Sequence, residues 1–190
     1  MRILALVAHD KPTSLTKRIF QHAIETLKQQ SDCTVDVLDL YERASEIPFY
    51  SSDRAHLEAH PFYQENKERF MKADRLLIVF PTYWYSTPGI LKCWFDLINQ
   101  FAWKFQGKYQ PAHPLHRIKK ALAINLTITP RWYNWLFLGD PARKQVQLTL
   151  QFLGIKPTMH TVGNSTSLTE TQLKKQLQNV EKLCKQLILD

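Results

Sequence analysis

Phe80-Pro81-Thr82-Tyr83-Trp84-Tyr85-Ser86-Thr87-Pro88-Gly89-Ile90-Leu91-Lys92-Cys93-Trp94-Phe95-Asp96 is the stretch on which the reading of this chain turns. It continues the apolar run Leu76-Leu77-Ile78-Val79, whose unbroken hydrophobicity marks a strand buried on both faces. Pro81 cannot donate to a ladder and ends that strand. Tyr83, Trp84 and Tyr85 follow in a loop, where three aromatics are costly to leave in water. Pro88 then starts a helix at a position where its missing N–H does no harm. A buried strand, an aromatic loop at its carboxyl end and an immediate helix make the ligand-site layout of an open α/β sheet.

Upstream, Arg2 to Ala8 is a first buried strand, and His9-Asp10-Lys11-Pro12-Thr13-Ser14 is a hydroxyl-rich turn. The next helix puts Ile19, Ala23, Ile24 and Leu27 on one face. Strand, hydroxyl loop and helix start together suit an anion, because free N–H groups and the helix dipole point at the loop. Thr13 and Ser14 could equally do no more than cap the helix. The aromatic loop downstream tips the reading toward phosphate binding.

Residues 34–40 alternate polar and apolar, as a strand near a sheet edge does. The stretch 41–59 is irregular, with a short helix at most, and a helix over 61–73 leads to the Leu76 strand. A fourth core strand, 120–126, runs into Thr127-Ile128-Thr129-Pro130, and a fifth covers 158–163. Ser167 and Glu170 read as the capping box of the last helix. Five strands alternating with helices predict a single α/β domain over residues 1–190, a doubly wound parallel sheet of order 2-1-3-4-5 with helices on both faces. The loops after strands one, three and four then meet at one end.

Pro81-x-x-Trp84-Tyr85-Ser86-x-Pro88-x-Ile90-Leu91-Lys92-x-Trp94-Phe95-Asp96 resembles the signature loop and helix of NAD(P)H-dependent quinone oxidoreductases with a flavodoxin-like fold. That family includes mammalian quinone reductases, the bacterial modulator of drug activity and ancillary proteins of potassium efflux systems. The resemblance implies a flavin whose phosphate is held around His9, Thr13, Ser14, Leu15 and Thr16. It implies an isoalloxazine ring lying against Pro81, Thr82, Tyr83, Trp84 and Tyr85, with Thr127, Ile128 and Thr129 at its polar edge. Trp103, Phe105, Trp132 and Tyr133 would wall the acceptor site, and Tyr133 would help protonate the reduced acceptor.

The implied activity is ping-pong hydride transfer from NAD(P)H to a quinone-like acceptor. FMN is preferred on the chain's modest length, and FAD stays open. Three features depart from the family pattern. Leu15 and Thr16 replace an aromatic and an Asn, Ile128-Thr129-Pro130 replaces a glycine-containing loop, and Leu138 stands where mammalian members have a His.

Composition bounds the alternatives. With 44% hydrophobic and 22% charged residues the chain reads as an ordinary globular protein, expected in the cytoplasm. Its net charge of +8 is scattered rather than clustered, which favours anionic small molecules over nucleic acid. Cys33, Cys93 and Cys184 share no metal-like spacing, and no Gly-x-Ser-x-Gly elbow occurs, so neither a metal nor a side-chain nucleophile is expected. The helix after Pro88 is apolar on two faces (Ile90, Trp94, Leu97, Ile98 and Phe101, widened by Leu91 and Phe95). That surplus predicts either a thick core or a partner, with a homodimer preferred. Two other functions are carried forward: an ancillary subunit docking on a membrane transporter, and a flavin-free scaffold.

Overall fold

The computed structural model describes residues 1–105, 107 and 112–189. In chain order the elements are β1 (Arg2–Val7), α1 (Leu15–Lys28), β2 (Thr34–Asp39), a 3-10 turn (Ala44–Glu46), α2 (Arg54–Ala59), α3 (Pro61–Lys72) and β3 (Arg75–Pro81). They continue with α4 (Gly89–Ile98), β4 (Trp103–Phe105), β5 (Ala112–Pro114), β6 (Lys120–Leu126), α5 (Arg131–Leu136), α6 (Pro141–Phe152), β7 (Lys156–Val162) and α7 (Glu170–Ile188). The main sheet has five strands in the order β2-β1-β3-β6-β7, all parallel. Counting only its own strands, this is the expected 2-1-3-4-5.

Every residue of β3 is buried because the sheet is covered on both sides. Alternate residues point to opposite faces. Leu76, Ile78 and Phe80 pack with Leu4, Leu6 and Ala123 under α3, α4 and α6. Leu77 and Val79 pack with Ile3, Ala5, Leu122 and Ile124 under α1 and α7. Placing α1 and α7 on one side lets their apolar stripes, Ile19-Ala23-Leu27 and Val180-Cys184-Leu187, close a second core.

The two-faced helix α4 finds its second contact inside the chain. Trp94 is wholly buried, and its Nε1 donates to Asn66 Oδ1 of α3 at 3.2 Å. Asn66 is held in turn by donating to the Phe62 carbonyl at 2.9 Å, and Phe70 meets Trp94 edge-on. Leu91, Phe95, Leu97 and Ile98 are all buried against the same layer. The apolar surplus is therefore a thick core, and the breadth of α4 is no argument for a partner.

Three local expectations shift. Pro88 is the N-cap of α4 rather than its first residue. The capping box of α7 is Thr169–Gln172: Gln172 N–H donates to Thr169 Oγ1 at 3.3 Å, and Thr169 N–H to Gln172 Oε1 at 2.9 Å. Ser167 is spent in the preceding turn, where its N–H donates to the Asn164 carbonyl. The hairpin of β4 and β5 and the short helix α5 carry no periodicity long enough to be read beforehand.

Candidate active site

The loops after β1, β3 and β6 leave the carboxyl ends of three adjacent strands, so the sheet order itself brings them together. Direct bonds confirm the convergence. Thr82 N–H donates to the Leu126 carbonyl at 2.7 Å, joining the second loop to the end of β6. The Tyr83 hydroxyl reaches Asp10 Oδ1 at 3.3 Å, and the Tyr83 and His9 rings meet edge-on with centroids 6.1 Å apart. Beneath them runs a polar chain: the Thr161 hydroxyl donates to buried Asn125 Oδ1 at 2.7 Å, and Asn125 Nδ2 donates to Thr82 Oγ1 at 3.4 Å. Asn125 is the lone amide of β6 and its only polar residue after Lys120.

The aromatic loop is a tight reversal. Tyr83 and Ser86 exchange two backbone bonds of 2.9 Å, with Trp84 (φ 49) and Tyr85 (φ 65) between them, both left-handed. Two consecutive positive-φ residues define a type I′ turn, a position normally given to Asn or Gly. Holding an L-residue with a Cβ there costs about 1–2 kcal/mol each. The surroundings impose it: Ser86 and Thr87 hydroxyls both donate to Gln145 Oε1 of α6, at 3.1 and 3.2 Å. The result is a Trp84 side chain thrown out into solvent at 94% exposure, with Tyr85 at 60%. Strain and exposed aromatic surface in one turn are the marks of a ligand shelf.

At the start of α1, Ser14 is the N-cap and accepts from Lys17 N–H at 3.2 Å. That hydroxyl is therefore committed to the helix. The Leu15 and Thr16 N–H groups belong to the first turn and have no intrahelical acceptor. Thr16 is buried, while Thr13 is exposed with its hydroxyl available. The Lys17 ammonium pairs with Asp39 at the end of β2 and is drawn away from the loop.

His9 Nδ1 accepts from Lys11 N–H at 3.0 Å, which places the ring proton on Nε2. Burial lowers its pKa, partly opposed by Asp10, so the ring is neutral at pH 7. The 3.1 Å approach of Asp10 Oδ1 becomes an ion pair only if the ring gains a second proton. Burial and the Asp10 carboxylate push the Tyr83 phenol up to about 12, so it stays a donor.

The loop after β6 folds on itself. Thr127 N–H donates to Val162 O at 2.9 Å, and Thr129 N–H turns inward to Thr127 Oγ1 at 3.4 Å. A Cβ on Gly163 would lie 2.6 Å from Arg131 N and 3.0 Å from Thr129 O, so this glycine is what admits the loop against β7. Of the three expected donors at the ring's polar edge, only Ile128 N–H keeps no partner among the described residues.

Trp132 and Tyr133 stand on α5, directly after that loop, in a stack with Phe137: Trp132 to Tyr133 is 5.8 Å and Tyr133 to Phe137 is 5.1 Å between centroids. Buried Asn134 staples the helix by donating to Asp140 Oδ1 at 2.7 Å. Trp103 stands on the β4–β5 hairpin. It packs edge-on against Phe152 at the far end of α6, two turns or roughly 10 Å along the helix from Gln145. Pro114 of the paired strand abuts Gly154 and holds the hairpin at that end. The Phe105 side chain lies outside the described residues. Asp10, Asn125, Gln145 and the Asn134–Asp140 pair were missed beforehand. Only Asn125, an amide within an apolar run, carried a local signal.

A five-stranded parallel sheet of this order, with its loops converging after strands one, three and four, defines a flavodoxin-like protein. The chain belongs to the family described as "Flavodoxin-like fold", whose model matches residues 1–187. It is 32% identical over 130 residues to the ribosyldihydronicotinamide dehydrogenase [quinone] of Rattus norvegicus, covering 57% of this chain and 56% of the rat protein. The chain thus spans little more than half the length of that relative. It is 28% identical over 186 residues to an FMN-dependent NADH:quinone oxidoreductase of Coprothermobacter proteolyticus, covering 92% and 90%. An FMN-dependent NADH-azoreductase from Bacillus anthracis, solved with FMN, superposes with a TM-score of 0.81 at 18% identity over the whole of both chains.

Proposed function

We propose that this protein is a flavin-dependent NAD(P)H oxidoreductase that uses FMN and passes two electrons to quinone-like acceptors. The observation carrying the reading is the strained Trp84–Tyr85 turn, exposed where three loops meet. The residues fit a flavin mononucleotide. Leu15 and Thr16 N–H groups, with the Thr13 hydroxyl and the positive end of the α1 dipole, suit a phosphate. His9 Nε2–H is a further donor beside that loop. Pro81, Thr82 and the Tyr83-Trp84-Tyr85 turn would form the bed, and the Ile128 N–H would be the donor left for the ring's polar edge beside Thr127 and Thr129.

When bound, the flavin supplies hydride chemistry between a nicotinamide and an oxidised acceptor. The chain's own part is to bind, orient and keep water out. We assign Trp132 and Tyr133 of α5 to the wall beside the Trp84–Tyr85 turn, around an open face that donor and acceptor would occupy in turn in a ping-pong cycle. We assign to the Tyr133 hydroxyl the donation of a proton toward the reduced acceptor oxygen. Residues 1–190 are read as one domain.

We further propose a homodimer, resting not on α4 but on the exposed apolar face of α5 and its end, where Leu136 and Phe137 are each more than 60% exposed. No helix among the described residues is long and apolar enough to cross a membrane.

Purified protein tests the reading directly. Yellow protein whose absorbance bleaches anaerobically with NADPH or NADH and returns with a quinone supports it. Colourless protein that takes up no added FMN overturns it. Sedimentation equilibrium of the wild type and of Leu136→Glu tests the dimer, and a wild-type monomer at micromolar concentration would exclude it.

A further inference from the structure

A second concavity lies on the other side of the loop after β6. This groove of about 880 Å³ runs between α5, the edge strand β7 and α7, and Pro130 to Trp132 form its near wall. It is too large for a lone inorganic anion and falls within the range of small-molecule sites.

Its charge is mostly positive. Arg131 opens α5, Arg143 lies in the first turn of α6, and Lys175 projects from α7, so three separate elements bring a cation to one groove. Among the described residues neither Arg131 nor Lys175 has an ion-pair partner. Arg143 Nε comes only to 3.9 Å from Asp140 Oδ2. That carboxyl already accepts from Asn134 through its other oxygen, and burial raises its pKa. His160 on the floor is bound to Gln176 Oε1 at 3.0 Å. Burial, and secondarily the Arg131 charge, lowers its pKa, so it stays neutral. Asp140 is the one acid lining the groove among the described residues, so the three cations outnumber it, and a polyanion would relieve their mutual repulsion.

The rim is flat and apolar. Trp132 and Trp135 are three residues apart on α5, share one face, and are 64% and 68% exposed. Indole planes beside guanidinium groups suit a purine bearing phosphates.

We propose that this groove holds the adenosine end of the dinucleotide donor, and that Arg131, Arg143 and Lys175 select a donor carrying a phosphate on its adenosine ribose. The proposal rests on the oxidoreductase reading above, since the nicotinamide end must reach the Trp84–Tyr85 shelf across Trp132.

Calorimetric titration of the purified protein with adenosine 2′,5′-bisphosphate, ADP and inorganic phosphate tests it. The bisphosphate is expected to bind about tenfold tighter than ADP, the lower range of one charge-assisted hydrogen bond. Arg131→Gln and Lys175→Gln, both at exposed positions, should each remove most of that margin. They should also raise the KM for NADPH about tenfold more than that for NADH. Equal affinity for bisphosphate and ADP, or binding unchanged in both Arg131→Gln and Lys175→Gln, overturns the proposal. Inorganic phosphate binding as tightly as the bisphosphate shows a bare anion site and also overturns it. Colourless protein that still binds the bisphosphate through Arg131 overturns the donor role while leaving a nucleotide groove, which separates this failure from that of the flavin reading.

Discussion

The Tyr83 hydroxyl donates to Asp10 Oδ1 across 3.3 Å, tying the turn after β3 to the loop after β1. The two residues are 73 positions apart in sequence, and their contact spans the proposed flavin site from ring bed to phosphate loop. Tyr83→Phe keeps the ring contact with His9 and removes only the bond. We expect a loss of about 0.5–1.5 kcal/mol in stability, the usual net value of one hydrogen bond. FMN should dissociate measurably faster. Urea denaturation followed by flavin release kinetics checks both, and an unchanged release rate would count against Asp10–Tyr83 as a brace.

Trp84 is held at φ 49 with almost its whole side chain in water. Trp84→Gly relieves the left-handed strain at little packing cost, so the flavin-free protein should gain about 1 kcal/mol, or about 2–4 °C in Tm. The same change should weaken FMN binding, because the ring loses part of its bed. Paired calorimetry of flavin-free and FMN-saturated variant separates the effects. A variant both less stable and equally tight for FMN would refute the shelf.

Gly163 allows the Thr129–Arg131 backbone to lie against β7. In Gly163→Ala the new methyl meets backbone at 2.6 Å, with no flexible side chain to yield. Destabilisation of about 1–3 kcal/mol is expected from this overpacking, and FMN affinity should fall as Ile128 is displaced. Thermal denaturation with and without FMN reads the two consequences.

His116 is fixed as the Nε2–H tautomer: Nε2 lies 3.0 Å from the Leu153 carbonyl, and Nδ1 accepts from Ile118 N–H at 3.1 Å. Burial is the main cause lowering its pKa below the ordinary 6.5. The unfolded chain then binds more protons than the folded one, so the stability this group contributes is present above pH 6.5 and lost as pH falls through the lower folded value. His160, also lowered chiefly by burial, adds to the same slope. The urea midpoint should drop between pH 7 and pH 5, and His116→Gln should flatten part of that drop. A midpoint independent of pH in the wild type would contradict the assignment.

Much of the site's composition was legible because the chemistry is local. Leu76 to Phe80 needed no partner to read as a doubly covered strand, and Pro81, Tyr83-Trp84-Tyr85 and Pro88 announce strand end, aromatic turn and helix start within nine residues. The sheet order followed from the alternation of strand and helix and the handedness of crossovers. What could not be read locally needed long-range information. Trp103 alternates with Phe105 as a wall residue would, yet its hairpin docks on Gly154, and nothing near residue 103 encodes that. The broad apolar surface of α4 looked like an interface until Asn66 and Phe70, delivered by α3, covered it.

By itself, then, the sequence determined the strands, the turn chemistry and the loops that meet, since each depends on residues within one element or its neighbours. Only the tertiary structure decided that Trp84 and Tyr85 are strained outward, that Asp10 and Gln145 hold them there, and that Arg131, Arg143 and Lys175 share a groove. Those are relations between residues far apart in the chain, and packing sets them rather than any local propensity.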